Sequence, residues 1–193
     1  FSYNGFGNGQ THNIYISYGD RLIARYNYLH HAIIGHQLKS RAEENIVVYN
    51  RLMDETTGNA SYEIDLPNGG NSIVMGNLVH QGVNNDNGSM ISYGREVLSN
   101  PVSKLVVVNN TFVSDDNYAT FINAQNGSSL FIGNNIFVGT GVVTNLNATQ
   151  QNNIHVTADP GFSDLSGFDY TLTSGAVQAI DAGTNVSETS LIS

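Results

Sequence analysis

The stretch LVVVNNTF at 105–112 decides the fold, because its pattern of apolar strand, Asn, apolar residue and turn is repeated along the chain. It recurs as LIARYNYL (22–29), IVVYNRLM (46–53), IVMGNLVH (73–80) and LFIGNNIF (130–137). With Asn27, Asn50, Asn77, Asn110 and Asn135 as the equivalent positions, the intervals are 23, 27, 33 and 25 residues. That is the period of a coiled solenoid with turns of variable length. Each phrase is rich in β-branched residues, too short for a packed helix and broken by Asn or Gly, so the unit is a strand and a turn. Asn suits a corner: it tolerates left-handed backbone, and its amide can bond the Asn of the next coil. An ordinary sandwich with Asn-rich loops would alternate polar and apolar residues more cleanly and would not need corner Asn in register.

Working outward, NIYIS (13–17), HQLKS (36–40), SYEIDL (61–66), SMISY (89–93) and ATFIN (119–123) each precede an Asn-corner strand. A coil therefore has at least two strands, and about six coils spaced by ~4.8 Å make a rod of roughly 30 Å. The 33-residue interval holds two polar connections, QGVNNDNG (81–88) and REVLSNP (95–101), and its extra residues should bulge from one side as a groove wall. The fold expected is an all-β, right-handed parallel β-helix over residues 1–183, with an irregular carboxy-terminal cap and a polar tail at 184–193. In the cap, Phe162, Tyr170 and Leu172 should pack on the last rung. The first strand arrives by Asn13, so the amino-terminal face should be covered by upstream coils or by end-to-end association.

The chain has 193 residues, no Cys, no Trp, 20 Gly, 12 % charged residues and a net charge of −9. A single elongated domain accounts for this, since stacked coils need no separate core. The sign of the charge and the lack of a repeated basic-aromatic platform argue against nucleic acid. No apolar run is long enough for membrane insertion. Five of the seven Lys and Arg (Arg21, Arg25, Lys39, Arg41 and Arg51) lie in residues 21–51, which makes the first two coils the place for an anionic ligand.

The run GHQLKSRAEENIVVYNRLMDETTGNASYEIDLPNGGNSIVMGNLVHQG (35–82) resembles secreted bacterial right-handed parallel β-helix proteins of the pectate-lyase-like superfamily. DPGF (159–162) and DYTLTSGAVQAIDAG (169–183) are similar to the closing segment of such proteins. The resemblance implies the fold and an extracellular setting; the superfamily includes lyases, hydrolases, epimerases and non-catalytic surface proteins, so it does not imply one activity. LKS at 38–40 is similar to the phrase that carries the Lys base in alginate and dermatan lyases of this type. The resemblance implies β-elimination on an anionic polysaccharide, which needs a base for the proton beside a uronate carboxylate and a cation to neutralise that carboxylate.

If Leu38 and Ser40 point inward, alternation puts Gln37, Lys39 and Arg41 outward together. Lys39 is then the candidate base, Arg41 the neutraliser, and Tyr62 or His36 the candidate acid. Arg25, Arg51, Glu63, Asp65, Tyr15 and Tyr93 are candidate substrate contacts. Where those lyases carry an Arg on the following coil, this chain reads YEIDLPNGG (62–70), which sets Asp65 beside Lys39 and should raise the Lys pKa. In the competing reading Lys39 and Arg41 simply pair with Glu63 and Asp65 one coil along, and the protein is a structural or adhesive solenoid module.

Metal ligation has weaker support. His30 and His31 are adjacent, so on a strand they face opposite sides and cannot share an ion. Asp54-Glu55, Asp86 and Asp115-Asp116 offer oxygen ligands for Ca²⁺, but their spacing matches no loop motif and reads as solvated turns.

Overall fold

The computed structural model describes residues 1–186, and every regular element in them is a β-strand. Six coils follow one another. The first is β1 (Ile14–Ile16), β2 (Arg21–Arg25) and β3 (Tyr28–His30); the second is β4 (His36–Ser40), β5 (Glu44–Val48) and β6 (Arg51–Met53). The third is β7 (Tyr62–Leu66), β8 (Gly70–Met75) and β9 (Leu78–Gln81); the fourth is β10 (Ser89–Tyr93), β11 (Ser103–Val108) and β12 (Thr111–Ser114). The fifth is β13 (Ala119–Ala124), β14 (Ser129–Gly133) and β15 (Ile136–Val138); the sixth is β16 (Gly141–Thr144), β17 (Thr149–Gln151) and β18 (Ile154–Val156). Strands of equal rank pair in parallel to give three six-stranded sheets, β1-β4-β7-β10-β13-β16, β2-β5-β8-β11-β14-β17 and β3-β6-β9-β12-β15-β18. This is the right-handed parallel β-helix expected, with three strands per coil. The third strand begins directly after each corner Asn.

The corner Asn residues form one line, extended at both ends by Asn27 and Asn153. Each Nδ2 donates to the Oδ1 one coil on, at 2.9, 3.0, 3.0, 2.9 and 2.9 Å from Asn27 through Asn50, Asn77, Asn110 and Asn135 to Asn153. The same oxygens accept the backbone N–H of the preceding ladder Asn. The left-handed residue is the one before the ladder Asn: Tyr26, Tyr49, Gly76, Asn109, Asn134 and Asn152 all have φ between 49° and 66°. The ladder Asn keeps ordinary backbone and supplies hydrogen bonds that the turning main chain cannot make with itself.

The second sheet explains why its strands read as unbroken apolar runs. Val47, Val74, Leu105 and Val107 fill the interior, while Ile46, Val48, Ile73, Met75, Val106 and Val108 form a buried cluster on the outer face, with Val186 against it. Parallel strands covered on both faces lose the polar–apolar alternation. Residues 184–186 are accordingly docked and not loose: Asn134 Nδ2 donates to Thr184 O at 2.7 Å, and Gln151 Nε2 to Thr184 Oγ1 at 2.6 Å. The rest of the expected polar tail lies outside the described residues.

The closing segment also departs from expectation. β19 (Phe162–Asp164) and β20 (Asp169–Leu172) form an antiparallel hairpin whose Phe162 and Tyr170 pack on Met53, Val113 and Val138, on the outer face of the third sheet. Arg51 Nη donates to Phe168 O at 2.7 Å, across 117 residues of sequence. The hairpin therefore runs back along the side of the solenoid, because that face carries apolar residues needing cover, and Leu172 remains exposed. At the other end, Ser2 bridges to His30, and Tyr3 N–H reaches His31 O at 3.1 Å, so the chain's own first residues cover the edge of β3.

Candidate functional site

The first sheet breaks its alternation at one place. Met90 and Ile91 both lie in the core, as do Phe121 and Ile122, and the register sets Gln37 and Glu63 in the row of Met90. Gln37 and Glu63 are therefore interior and fully buried, not outward as alternation predicts. The next rows resume the pattern. Leu38 and Ile64 face in, Lys39 and Asp65 face out, and Leu66 and Tyr93 face in. Tyr93 is thus a core residue whose hydroxyl donates to Gly70 O at 2.5 Å, and it presents no platform for a ligand.

On the outer face Lys39 Nζ lies 2.8 Å from Asp65 Oδ2 and 2.8 Å from Glu96 Oε1. Arg41 donates to Glu96 at 2.6 Å, to Asn68 Oδ1 at 2.6 Å and to Tyr15 Oη at 3.1 Å. Asp65 sits where the sequence places it, whereas Arg41 takes Glu96 in place of Glu63. Glu96 comes from the long connection of the fourth coil, which folds back as a wall. Val97 N–H reaches Pro67 O at 3.1 Å, and Asn100 Nδ2 reaches Ala42 O at 2.9 Å. Sequence reading foresaw the bulge but not Glu96 as partner of both cations; the only signal was its place in REVLSNP. Burial works to lower the Lys39 pKa, but the hydrogen bonds and charges of Asp65 and Glu96 overcome it and hold the ammonium above its ordinary value. Two cations and two anions leave the cluster with no net charge.

A second row flanks this cluster. His12 stacks on His36 at 4.5 Å, Tyr62 lies 5.0 Å from His36, and His36 Nε2 stands 3.4 Å from Asp65 Oδ2. Burial, with the cations beside them, pushes both His12 and His36 down to about 4, so both rings are neutral at pH 7. Burial, then the Asp65 charge, raises Tyr62, which keeps its proton. The structure so brings Tyr15, His36, Lys39, Arg41, Tyr62 and Asp65 onto one face. Arg25 on β2 and Arg51 on β6 belong to the other two sheets and lie apart from it. Beside Arg41 opens a groove of about 620 Å³ lined by Tyr15, Tyr18, Asp20, Glu43, Asn68 and Asn100, among others.

Glu63 meets Asp54 inside the corner between the third and first sheets. Asp54 accepts from Ala60 N–H at 3.0 Å, Gly82 N–H at 3.4 Å and Gln37 Nε2 at 3.3 Å. Neither Glu63 oxygen meets an N–H or hydroxyl donor; its polar neighbour is the Asp54 carboxyl, and two carboxyls bond only when one is protonated. Burial, then the Asp54 charge, raises Glu63 well above the carboxylate range, and burial lifts Asp54 to about 6.

Of the acidic groups considered for Ca²⁺, Asp54 is buried in that pair, Asp86 lies exposed, and Asp115 faces His80 at 3.1 Å and shares a groove with Glu55. His30 and His31 do not face opposite sides, as they would on an unbroken strand. His31 has φ 52°, which turns the chain out of the strand at that residue, and the two Nδ1 atoms stand 2.8 Å apart with Glu55 beside them. No protein-family model, curated protein or solved structure matches the chain.

Proposed function

We propose that the protein is an extracellular β-solenoid of the pectate-lyase-like kind that binds polysaccharide along the groove beside Arg41, without cleaving it. The observation that carries this reading is the groove itself, where Tyr15 and Tyr18, 46 % and 91 % exposed, stand next to fixed amides and charged groups. Exposed aromatic rings supply apolar faces for sugar rings, and Asn68, Asn100, Asp20 and Glu43 supply donors and acceptors for hydroxyls. The Arg41 guanidinium, already held by three partners, is an orienting group and not a free charge. A hydroxyl-rich chain fits this lining better than a polyanion, because Asp20 and Glu43 oppose Arg41.

Binding is tested by affinity electrophoresis in gels containing neutral glucans, pectate or alginate. Retardation on neutral glycans that is lost in Tyr18→Ala supports the reading; equal migration of both proteins on every glycan refutes it. β-Elimination is the second reading, favoured by the convergence of Lys39, Arg41, His36 and Tyr62. It requires a substrate that displaces Glu96 and frees the Lys39 amine, since an ammonium held between two carboxylates cannot accept a proton. Appearance of the ultraviolet-absorbing unsaturated uronate, abolished in Lys39→Ala, would establish it in place of the binding reading.

A further inference from the structure

We propose that His30, His31 and Glu55 form a binding site for a divalent late first-row transition ion, copper(II) above all. The site lies at the turn after β3 and β6, away from the groove beside Arg41. The three ligand atoms fall within 4.8 Å of one another, the one such cluster of His, Asp or Glu among the described residues. It exists because two side chains leave their strand directions: His31 and Glu55 both have left-handed backbone, φ 52° and 55°. Such conformations cost free energy in residues other than Gly and concentrate where geometry serves a function.

The geometry favours an ion in several ways. The Nδ1 atoms of His30 and His31 are 2.8 Å apart. Ligands at ~2.0 Å from a metal and ~90° apart are about 2.8 Å from each other, whereas a tetrahedral angle would need about 3.3 Å. The pair is thus spaced for neighbouring positions of a tetragonal ion, the preference of copper(II) and nickel(II). His31 Nε2 faces Thr57 Oγ1 at 3.1 Å, the outer hydrogen bond that orients a metal-bound imidazole. Both rings are clamped: Tyr28 stacks on His30 at 4.3 Å and Tyr3 on His31 at 4.8 Å. Glu55 is hydrogen-bonded by the Tyr28 hydroxyl, which steers its carboxylate towards the histidines.

Entry is open, because Glu55 also lines a groove of about 660 Å³ with Asp115, Asp159 and Asp164, whose charges favour a cation. Without metal, one Nδ1 must carry a proton to bond the other. With metal, that ring moves the proton to its Nε2, both Nδ1 lone pairs and one carboxylate oxygen bind, and three waters leave the ion. Nitrogen ligands and the Irving–Williams order place Cu²⁺ above Ni²⁺ and Zn²⁺, with Ca²⁺ excluded by its demand for oxygen.

The test is calorimetric titration of the full chain, free of any polyhistidine tag and stripped with chelator, with CuCl₂, NiCl₂, ZnCl₂ and CaCl₂ in turn. One Cu²⁺ per chain is expected, with a visible absorption band of nitrogen-ligated copper and no heat from Ca²⁺. Affinity should fall at least about tenfold in His30→Ala, in Glu55→Gln and in His31→Asn, the last chosen because Asn accepts left-handed backbone. His155→Ala, at a histidine remote from the cluster, should bind as the parent does. Circular dichroism shows whether each variant is folded, and Glu55→Gln, at a half-buried turn position, keeps the test available if a histidine variant is not. Absence of Cu²⁺ binding by the parent, or unchanged binding in the His30→Ala/His31→Asn double variant, overturns the proposal.

Discussion

Replacing Glu63 by Gln should stabilise the protein at neutral pH and not at acid pH. Glu63 and Asp54 hold a proton between them that the unfolded chain, with ordinary carboxyls, gives up to solvent. Both folded-state pKa values are raised, so the native state binds more protons than the unfolded state above the ordinary carboxyl range. Stability from this pair is greatest at low pH and is lost as pH rises towards the folded values. Each proton that the native pair holds and the unfolded chain has given up makes a slope of about 1.4 kcal/mol per pH unit for as long as it is held. The amide that replaces the Glu63 carboxyl carries no titrating proton and can donate to ionised Asp54, which removes most of that slope. For a chain of this length that slope corresponds to roughly 3–6 °C in Tm per pH unit. His12 and His36 work in the opposite direction. Their lowered values mean that stability is complete above the unfolded His value of 6.5 and is lost as pH falls towards about 4. They are common to both proteins, so the difference between parent and Glu63→Gln, followed by thermal melts at half-unit pH steps, isolates the carboxyl pair. A difference in Tm that is constant from pH 5 to pH 7.5 would refute the shared proton.

Other perturbations probe the remaining parts. Asn77→Leu removes the acceptor of Asn50 N–H and the donor to Val47 O, and should cost about 1–3 kcal/mol for each group left unpaired, measured by denaturant unfolding. Lys39→Met strands buried Asp65 and should destabilise by about 3 kcal/mol, whereas Lys39→Met/Asp65→Leu should recover most of the loss; a double variant as unstable as the single one would contradict the pairing. His36→Gln should flatten the fall in Tm between pH 6.5 and 4, because it deletes a group that must charge in the unfolded chain only. Glu96→Gln should raise the salt sensitivity of the Lys39–Arg41 cluster and loosen the 94–102 connection, read as faster amide exchange at Val97 and Asn100.

The repeat phrase specifies the solenoid and the Asn ladder, and strand alternation in HQLKS (36–40) and SYEIDL (61–66) adds the partnership of Lys39 with Asp65. These follow from local chemistry and a regular period: β-branched runs, an amide at each corner, and register between consecutive coils. What period-two reasoning missed at Gln37 and Glu63 was a pair of consecutive inward residues at the start of the first-sheet strands, marked in the sequence only by the adjacent apolar pairs Met90-Ile91 and Phe121-Ile122 of later coils. His30 and His31 show the same limit. Adjacent residues diverge only while the backbone stays extended, and one left-handed residue turns the two rings towards each other. Glu96 lies 57 residues from Lys39, and Phe168 lies 117 from Arg51. Contacts between a folded-back loop or hairpin and the side of the rod depend on which apolar and charged surfaces are left uncovered once all coils have stacked. They are settled at the tertiary level, because the free energy of covering a face is a property of the assembled surface and not of any one phrase.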